Sequence, residues 1–215
     1  MAQKCALIVL DGWGIGRKDF SNPIHQAKLP TIEYLKKHYP YAALQASGIA
    51  VGLPWGEVGN SEVGHLSIGA GQVIYQHYPR ITIAVRDRSF FRNEFLLQAA
   101  EHAKSNNGAL NLIGLLSEGH VHASFEHLEA LLDLAKEQRV LKVNLHLFAD
   151  GKDSAPHSIE LLHAKLQEVL RKKGVGTLAS LSGRYYGLDR DGHWDRTEKA
   201  YRAMTAAEPT QGQID

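Results

Sequence analysis

VNLHLFADGKD, residues 143–153, is the stretch that decides the fold. Residues 143–149 are mostly apolar and predict a buried strand, which is followed by charged residues. The next run, PHSIELLHAKLQEVLRKKG at 156–174, predicts a helix because proline lies in its first turn, basic residues lie in its last turn and glycine follows. VGTLASLSGRYYG at 175–187 predicts another strand. This order predicts parallel strands joined by a right-handed crossover.

The same alternation continues along the chain. Around this unit, the sequence predicts helices at 93–108, 124–139 and 194–207 and a strand at 109–119. Nearer the N-terminus it predicts short strands at 5–10 and 41–48, a helix at 29–39, a glycine-rich segment at 47–71 and a connector at 72–82. We therefore predict an α/β protein, a sandwich of parallel sheet and helices, with two domains at 1–75 and 76–215.

The composition is that of an ordinary globular protein. The 215 residues are 44% hydrophobic, and the formal net charge is +1. The sequence has no long basic run for nucleic acid and no apolar run long enough to cross a membrane. The single cysteine, Cys5, is expected to be a small buried side chain. With one cysteine and no recognisable signal peptide, we expect a cytoplasmic protein.

Polar residues follow three of the predicted strands. Because the carboxyl ends of parallel strands meet at one edge of a sheet, these residues are expected to line one crevice. Two arginines there could clamp a carboxylate or phosphate, a carboxylate could transfer a proton, and histidines could donate to phosphate oxygens. The residues, in chain order, are Ser117, Glu118, His120, His122, Asp150, Lys152, Asp153, Arg184 and Arg190.

A second candidate group lies in the N-terminal part. Ser61 occurs in the glycine-rich run GNSEVGHLSIGAG at 59–71, and Asp11 follows the predicted strand at 5–10. A carboxylate and a hydroxyl suit a metal that lowers the pKa of the serine and makes it a nucleophile. Ordinary structural roles remain open for the same residues: Ser61 as a helix cap, Asp11 and Asp153 as turn residues, and the arginines as surface ion-pair partners.

Six ordered runs resemble one family. They are LIVLDGWGIG at 7–16, GLPWGEVGNSEVGHLSIGAG at 52–71, the segment at 80–93, SEGHVHAS at 117–124, FADGKDSAP at 148–156 and GRYYGLDRDGHWDR at 183–196. The chain resembles the N-terminal part of the cofactor-independent (2,3-bisphosphoglycerate-independent) phosphoglycerate mutases, which belong with the alkaline-phosphatase-like metalloenzymes. The resemblance implies that 1–75 is part of an alkaline-phosphatase-like metal domain and that 76–215 is an inserted α/β phosphoglycerate-binding domain, incomplete at its C-terminus.

The resemblance also implies roles for individual residues. Ser61 matches the serine that is transiently phosphorylated, Asp11 and Ser61 match metal ligands, and Asp153 matches the acid–base carboxylate. The matching substrate-binding residues are His122, Asp150, Lys152, Asp153, Arg184 and Arg190. The implied enzyme is an isomerase of glycolysis and gluconeogenesis that interconverts 3- and 2-phosphoglycerate through a phosphoserine. It uses two Mn²⁺ ions, with Mg²⁺ or Co²⁺ as alternatives, needs no 2,3-bisphosphoglycerate, and is a cytoplasmic monomer that binds neither nucleic acid nor membrane.

The chain departs from the family pattern in two ways. Glu118 stands where the family usually has aspartate, His120 where it has glycine, and Lys152 where it has arginine. Family members are also more than twice as long, and of their metal ligands only Asp11 and Ser61 are present here. We therefore expect this chain to be a fragment that is inactive alone. The alternatives are a non-catalytic remnant that binds phosphoglycerate or a partner, and another metal-dependent phosphatase or phosphotransferase of the superfamily, against which the SEGHVH, DGKD and GRYY motifs argue.

Overall fold

The computed structural model describes residues 4–205, and the chain divides into two compact units, Met1–Tyr75 and Gln76–Asp215. Within the described part, no helix combines the length and apolar character that a membrane span requires. The protein is an α/β protein with one small parallel sheet, and the sheet lies entirely in the second unit.

Helices and loops make up the described part of the first unit. The helices are α1 (Pro23–Gln26), α2 (Pro30–His38) and α3 (Ser61–Ala70), with a 3₁₀ turn at Gly48–Val51. The helix predicted at 29–39 is confirmed as α2. α3 begins after Asn60, whose side chain accepts a hydrogen bond from the backbone amide of Val63 at 2.9 Å.

The strands predicted at 5–10 and 41–48 are wrong, and so is the placement of Asp11 at a strand end. None of the described residues at either position lies in a strand, and Gly48 begins the 3₁₀ turn. Leu7 and Ile8 are 73% and 81% exposed, and Cys5 is exposed rather than buried. The physical reason is that a strand exists only when a neighbour satisfies its backbone amides and carbonyls. Among the described residues of this unit, no segment pairs with either run.

The second unit is built on three parallel strands. They are β1 (Leu110–Leu116), β2 (Val143–Ala149) and β3 (Thr177–Gly183), hydrogen-bonded in the order β1-β2-β3. The strand predicted at 143–149 is confirmed with the same ends, and the strands predicted at 109–119 and 175–187 are confirmed with shorter ends. Residues 184–187 are helical and not part of the last strand. The register pairs the last residue of β1 with the last residue of β2, and the last residue of β2 with the last residue of β3. All three strands therefore end level with one another, at the same edge of the sheet.

Among the described residues of the second unit, six helices and a short 3₁₀ turn precede, connect and follow the strands. Their bounds are α4 His77–Arg86, 3₁₀ Phe90–Arg92, α5 Glu94–Ser105, α6 Phe125–Glu137, α7 Ile159–Lys173, α8 Arg184–Gly187 and α9 Trp194–Thr205. The predicted helices at 93–108, 124–139, 156–174 and 194–207 are confirmed within the described residues, outside which 206 and 207 lie. The connector predicted at 72–82 is partly wrong because α4 begins at His77. Pro79 lies in the first turn of α4, where a proline costs no intrahelical hydrogen bond.

One face of the sheet is buried in the main core, and the other face is covered only near the C-terminal ends of the strands. Leu145 and Leu147 of β2 lie in the main core, together with Leu132 of α6 and Leu166 of α7. Phe148 points the other way along the strand and packs in a smaller cluster that includes Ala200 of α9. On this second face Phe148 is the apolar residue of β2, whereas Asn144 and His146 make polar contacts with the neighbouring strands, so apolar and polar residues alternate along most of the strand.

Candidate active site

The level ends of the three strands bring three side chains together. Leu116, Ala149 and Gly183 are the last residues of their strands. The residues that follow them are Ser117, Asp150 and Arg184, and all three are connected by direct hydrogen bonds through Asp150. The sequence prediction that polar residues would converge at this edge is therefore met by the positions of these side chains.

Asp150 is the centre of this cluster. Its side chain is fully buried, with 0% of its surface exposed. Burial opposes ionisation of the carboxyl group, but the hydrogen bonds that it accepts outweigh this effect and hold the pKa of Asp150 far below its ordinary value. The donors are the Ser117 hydroxyl at 2.6 Å, the backbone amides of Lys152, Asp153 and Ser154 at 3.0, 3.2 and 2.7 Å, and Arg184 Nη1 at 3.0 Å.

Asp153 forms a second junction in the same cluster. Its Oδ2 lies 2.6 Å from His122 Nδ1 and 3.0 Å from Arg184 Nη1. Burial raises the pKa of Asp153, but the hydrogen bonds from His122 and Arg184 lower it more, so the carboxyl is ionised at neutral pH. Because an ionised carboxylate only accepts, Nδ1 of His122 carries the proton. The other ring nitrogen of this half-exposed histidine is left for a ligand.

Arg184 is fixed by the two carboxylates. Its side chain is 18% exposed and pairs with Asp150 and Asp153 through the same nitrogen, Nη1. Burial lowers the pKa of this guanidinium, but the two carboxylates raise it further above its ordinary value. The other guanidinium nitrogens are therefore held in a fixed position from which they can donate to a ligand.

An open cavity of about 790 Å³ adjoins this cluster. Lys152, Arg184 and Arg190 line it, as does Arg196. Arg196 pairs with Asp189 at 3.0 Å. Among the residues that the structure describes, Lys152 and Arg190 form no ion pair, so their charges are available to an anionic ligand.

The loop between β1 and α6 is held closely against Asp153. A Cβ at Gly119 would lie 2.7 Å from the backbone oxygen of Asp153, so only glycine fits this approach. Two of the residues that depart from the family pattern also hold this loop. Glu118 pairs with Lys165 of α7 at 3.3 Å, and the ring of His120 stacks on Tyr78 of α4 with centroids 4.1 Å apart.

Ser61 and Asp11 meet in the first unit. The Ser61 hydroxyl donates to Asp11 Oδ2 at 2.7 Å, and both residues are exposed. Ser61 is not the helix cap, because the Asn60 side chain has that role and Ser61 is the first residue of α3. His65 Nδ1 lies 2.8 Å from the Ser61 carbonyl, to which it must donate. That nitrogen cannot then take a proton from the serine hydroxyl, so the acceptor is Asp11.

The donor set for a metal is incomplete in this part of the chain. Asp11 and Ser61 supply two oxygens of the kind that Mn²⁺ or Mg²⁺ prefers. Within residues 4–205, however, no group of three or more histidine, cysteine, aspartate or glutamate side chains could hold a metal ion. The residues present therefore have the right ligand atoms for the metal, but there are too few of them to form a complete site.

Sequence reasoning missed three residues that organise the site. The Ser154 hydroxyl contacts Ser117 Oγ at 2.8 Å and accepts from the amide of Glu118 at 2.8 Å. Asp189 and Arg196 form the buried ion pair on the cavity wall. A signal for the serine exists, since it directly follows DGKD, but the partners of the ion pair are seven positions apart across a glycine turn and carry no local pattern.

Comparison with known proteins confirms the resemblance drawn from the motifs. A family model described as BPG-independent PGAM N-terminus matches residues 81–214. The chain is 48% identical over 205 residues to the 2,3-bisphosphoglycerate-independent phosphoglycerate mutase of Moorella thermoacetica, covering 95% of this chain and 40% of that protein. It is 50% identical over 206 residues to the enzyme of the same name from Lachnoclostridium phytofermentans, covering 94% of this chain and 39% of that protein.

A solved structure gives a similar match. The phosphoglycerate mutase of Leishmania mexicana, determined at low cobalt concentration, superposes with a TM-score of 0.62 at 32% identity. The match covers 91% of this chain and 37% of that one. The chain thus spans about 40% of the length of the curated relatives that it matches.

Proposed function

The chain belongs to the BPG-independent phosphoglycerate mutase N-terminus family, and from that premise we propose that it is the part of such an isomerase that carries the nucleophile and most of the substrate-binding groups. The reaction is the interconversion of 3- and 2-phosphoglycerate in glycolysis and gluconeogenesis. One observation carries the substrate assignment. Arg184 is fixed by two carboxylates beside a cavity of about 790 Å³ whose wall also presents the unpaired Lys152 and Arg190.

The second unit supplies binding and proton transfer in this proposal. Arg190 and Lys152 bind the anionic groups of the phosphoglycerate, and Arg184 donates from its free nitrogens. Asp150 holds Arg184 in place. Asp153, ionised and buried, accepts the proton of the glycerate hydroxyl as that hydroxyl attacks the phosphorus of the phosphoserine. The bond from phosphorus to the serine oxygen breaks, and the proton given up by Asp153 balances the one that the serine oxygen takes up, which restores the serine hydroxyl and the carboxylate. The free ring nitrogen of His122 contacts the same substrate.

Ser61 is the proposed nucleophile of the first unit. Its oxygen attacks the phosphorus of 3-phosphoglycerate, the bond from phosphorus to the substrate oxygen breaks, and the serine proton ends on the glycerate hydroxyl. The reoriented glycerate then takes the phosphoryl group back on its other hydroxyl. Two features favour the serine in this role: its hydroxyl is oriented by Asp11 at 2.7 Å, and it begins α3, whose first amides favour a phosphate.

The cofactor proposal follows the names of the relatives and the donors present. The relatives are named as independent of 2,3-bisphosphoglycerate, and the Leishmania structure was determined with cobalt. We propose two Mn²⁺ ions in the complete enzyme, with Asp11 and Ser61 among their ligands and the other ligands outside this chain. A bound metal would neutralise charge on the transferring phosphoryl group. We also propose that the complete enzyme is a cytoplasmic monomer and that this chain alone has no mutase turnover.

A second candidate function is phosphoglycerate binding without catalysis. It is favoured by the contrast between the fully bonded Asp150 cluster in the second unit and the exposed pair of Ser61 and Asp11 in the first. Both candidates share the same binding site, and they differ in whether Ser61 is ever phosphorylated.

Calorimetric titration of the 215-residue chain with 3-phosphoglycerate, in EDTA, tests the shared part. We expect one site, weaker binding of glycerol 3-phosphate, which lacks the carboxylate, and binding in Arg190→Ala that is weaker than in wild type but still measurable. Lys142→Ala is the matched control, because it removes one positive charge just before β2, at the opposite end of the strand from Asp150. Binding that is absent in wild type, or equal in the two variants, refutes the substrate assignment.

A coupled turnover assay with Mn²⁺ tests the catalytic part. We expect no turnover from this chain alone, since its metal-ligand set is incomplete. Turnover above a metal-free blank, lost in Ser61→Ala, would show instead that these residues suffice. In a longer polypeptide that contains this sequence, a phosphoserine at Ser61 after incubation with 3-phosphoglycerate separates the enzyme from the binding remnant.

A further inference from the structure

A buried carboxylate organises the loop between α8 and α9, residues 188–193. Asp189 has only 3% of its side chain exposed. Its Oδ1 accepts from Arg196 Nη1 at 3.0 Å, and its Oδ2 accepts from the backbone amide of His193 at 2.8 Å. Burial raises the pKa of this carboxyl group, but the His193 amide, the Arg196 guanidinium and the nearby Asp191 amide together lower it more. One side chain therefore fastens both the later part of its own loop and the first turns of α9.

Arg196 completes a clamp across the loop. Its side chain is 20% exposed, and its guanidinium carbon lies 4.0 Å from the ring centroid of Tyr185 in α8. The ion pair and the ring contact thus join α8, the loop and α9. Since the acid and the base neutralise each other, the pair adds no net charge to the cavity wall. Its effect is to hold the backbone of the loop in place.

Arg190 lies between the fastened positions. Asp189, which holds the clamp, directly precedes it, and His193, whose amide donates to Asp189 at 2.8 Å, follows three positions later. Arg190 lines the same cavity as Arg184 and has no ion pair among residues 4–205. A flexible cation whose backbone is already fixed loses less entropy when it binds an anion.

We propose that Asp189, with Arg196, is a positioning residue that preorganises Arg190 for the anionic groups of the ligand. The proposal rests on the phosphoglycerate site proposed above and extends it to two residues that do not themselves need to touch the ligand. The expected effect of loosening the clamp is a loss of affinity of about 2- to 10-fold, the cost of ordering one long side chain on binding.

Two charge-matched substitutions separate positioning from electrostatics. Asp189→Asn and Asp191→Asn each remove one negative charge from the cavity wall, beside the same arginine. If only charge mattered, both would tighten the binding of an anion, and Asp189→Asn more so because it also releases Arg196. Positioning predicts opposite signs: calorimetry with 3-phosphoglycerate should show weaker binding in Asp189→Asn and equal or tighter binding in Asp191→Asn.

The decisive test is whether the effect of Asp189→Asn on affinity depends on the presence of Arg190. In an Arg190→Ala background, Asp189→Asn should change the remaining affinity by less than about 1.5-fold, because there is no arginine left to position. An undiminished effect in that background, or tighter binding in Asp189→Asn alone, overturns the proposal. Arg196→Lys keeps the charge but loses the planar fork, and an intermediate loss is expected.

A readout without ligand keeps this inference separate from the proposed function. The ¹⁵N order parameter of the Arg190 amide should fall from about 0.85 toward about 0.6 in Asp189→Asn and stay unchanged in Asp191→Asn. If wild type does not bind phosphoglycerate but the order parameter falls as expected, the substrate assignment fails and the clamp stands. If wild type binds and the order parameter does not change, the clamp fails and the substrate assignment stands.

Discussion

Asp150→Asn tests whether one buried carboxylate holds the whole site edge together. The substitution keeps the shape of the side chain and changes only its charge and one acceptor atom. In the wild type, Oδ1 receives three donors and Oδ2 receives two. An amide has one oxygen and one NH₂ group, so in either orientation at least two donors face an NH₂ group.

The magnitude follows from these contacts. Hydrogen bonds to a charged group contribute about 1.5–3 kcal/mol each, and the Ser117 hydroxyl can rotate to accept instead of donate. The backbone amide of Ser154 cannot adjust in this way, and Arg184 loses one of its two carboxylates. Breaking a buried ion pair from one side costs about 3–5 kcal/mol, and we expect a loss of about 3 kcal/mol in the free energy of unfolding of the second unit.

Urea unfolding at pH 7 measures this loss in the free energy of unfolding. Hydrogen exchange of the β2 amides then assigns the loss to the second unit. Asp191→Asn is the control, because this exposed residue lies in the same cavity wall and its side chain has no bond to lose among the described residues; its effect should stay within about 0.5 kcal/mol. A difference below about 0.5 kcal/mol between Asp150→Asn and wild type would refute the reasoning, since the carboxylate could not then be the junction of the site.

Three further predictions follow. The folded-state pKa of Asp150 lies below its unfolded value of about 3.9, so its stabilisation is complete above that pH and is lost as pH falls through the folded value; stability measured from pH 5 to pH 2 should fall more steeply in wild type than in Asp150→Asn. Gly187→Ala should destabilise by about 1–3 kcal/mol, because a Cβ there overlaps the ring of Phe148, whereas Gly114→Ala, with no atom within 4 Å of its Cβ, should cost little in the same denaturant titration. Amides of residues 5–10 should exchange within the dead time of a hydrogen-exchange experiment while those of β2 remain protected, and slow exchange at 5–10 would mean that the run is paired.

The second unit could be predicted from sequence because its signals are local. Each strand is a short apolar run followed by polar residues, and each helix has its own start and stop residues. The alternation then sets parallel strands, and parallel strands set a common edge. The sequence alone therefore predicts that Asp150, Asp153 and Arg184 lie near one another, and their functional roles remain predictions.

The remaining features depend on contacts that no local pattern encodes. The run at 5–10 has a good strand sequence, but strand formation needs a neighbour, and among residues 4–205 none pairs with it. The start of α4 was obscured by Pro79, which suits a first helical turn as well as a connector. The ion pair of Asp189 and Arg196 joins a loop to a helix. In the sequence, neither residue can be distinguished from an ordinary charged residue at the surface.

The charges of the cavity explain why the positions of individual donors matter more for anion binding than the net electrostatic field. The wall and the adjoining Asp153 contain four cationic side chains, Lys152, Arg184, Arg190 and Arg196, and four carboxylates, Asp150, Asp153, Asp189 and Asp191. These four positive and four negative charges cancel, so long-range attraction does little to concentrate an anion in the cavity. Affinity must come from directed donors at short range, and a directed donor is effective only where its backbone is fixed. Three of the four carboxylates serve that purpose: Asp150 and Asp153 fix Arg184, and by our proposal Asp189 fixes the loop of Arg190. Acidic residues in an anion-binding site are therefore compatible with an anionic ligand, because their ion pairs and hydrogen bonds hold the cationic donors in position.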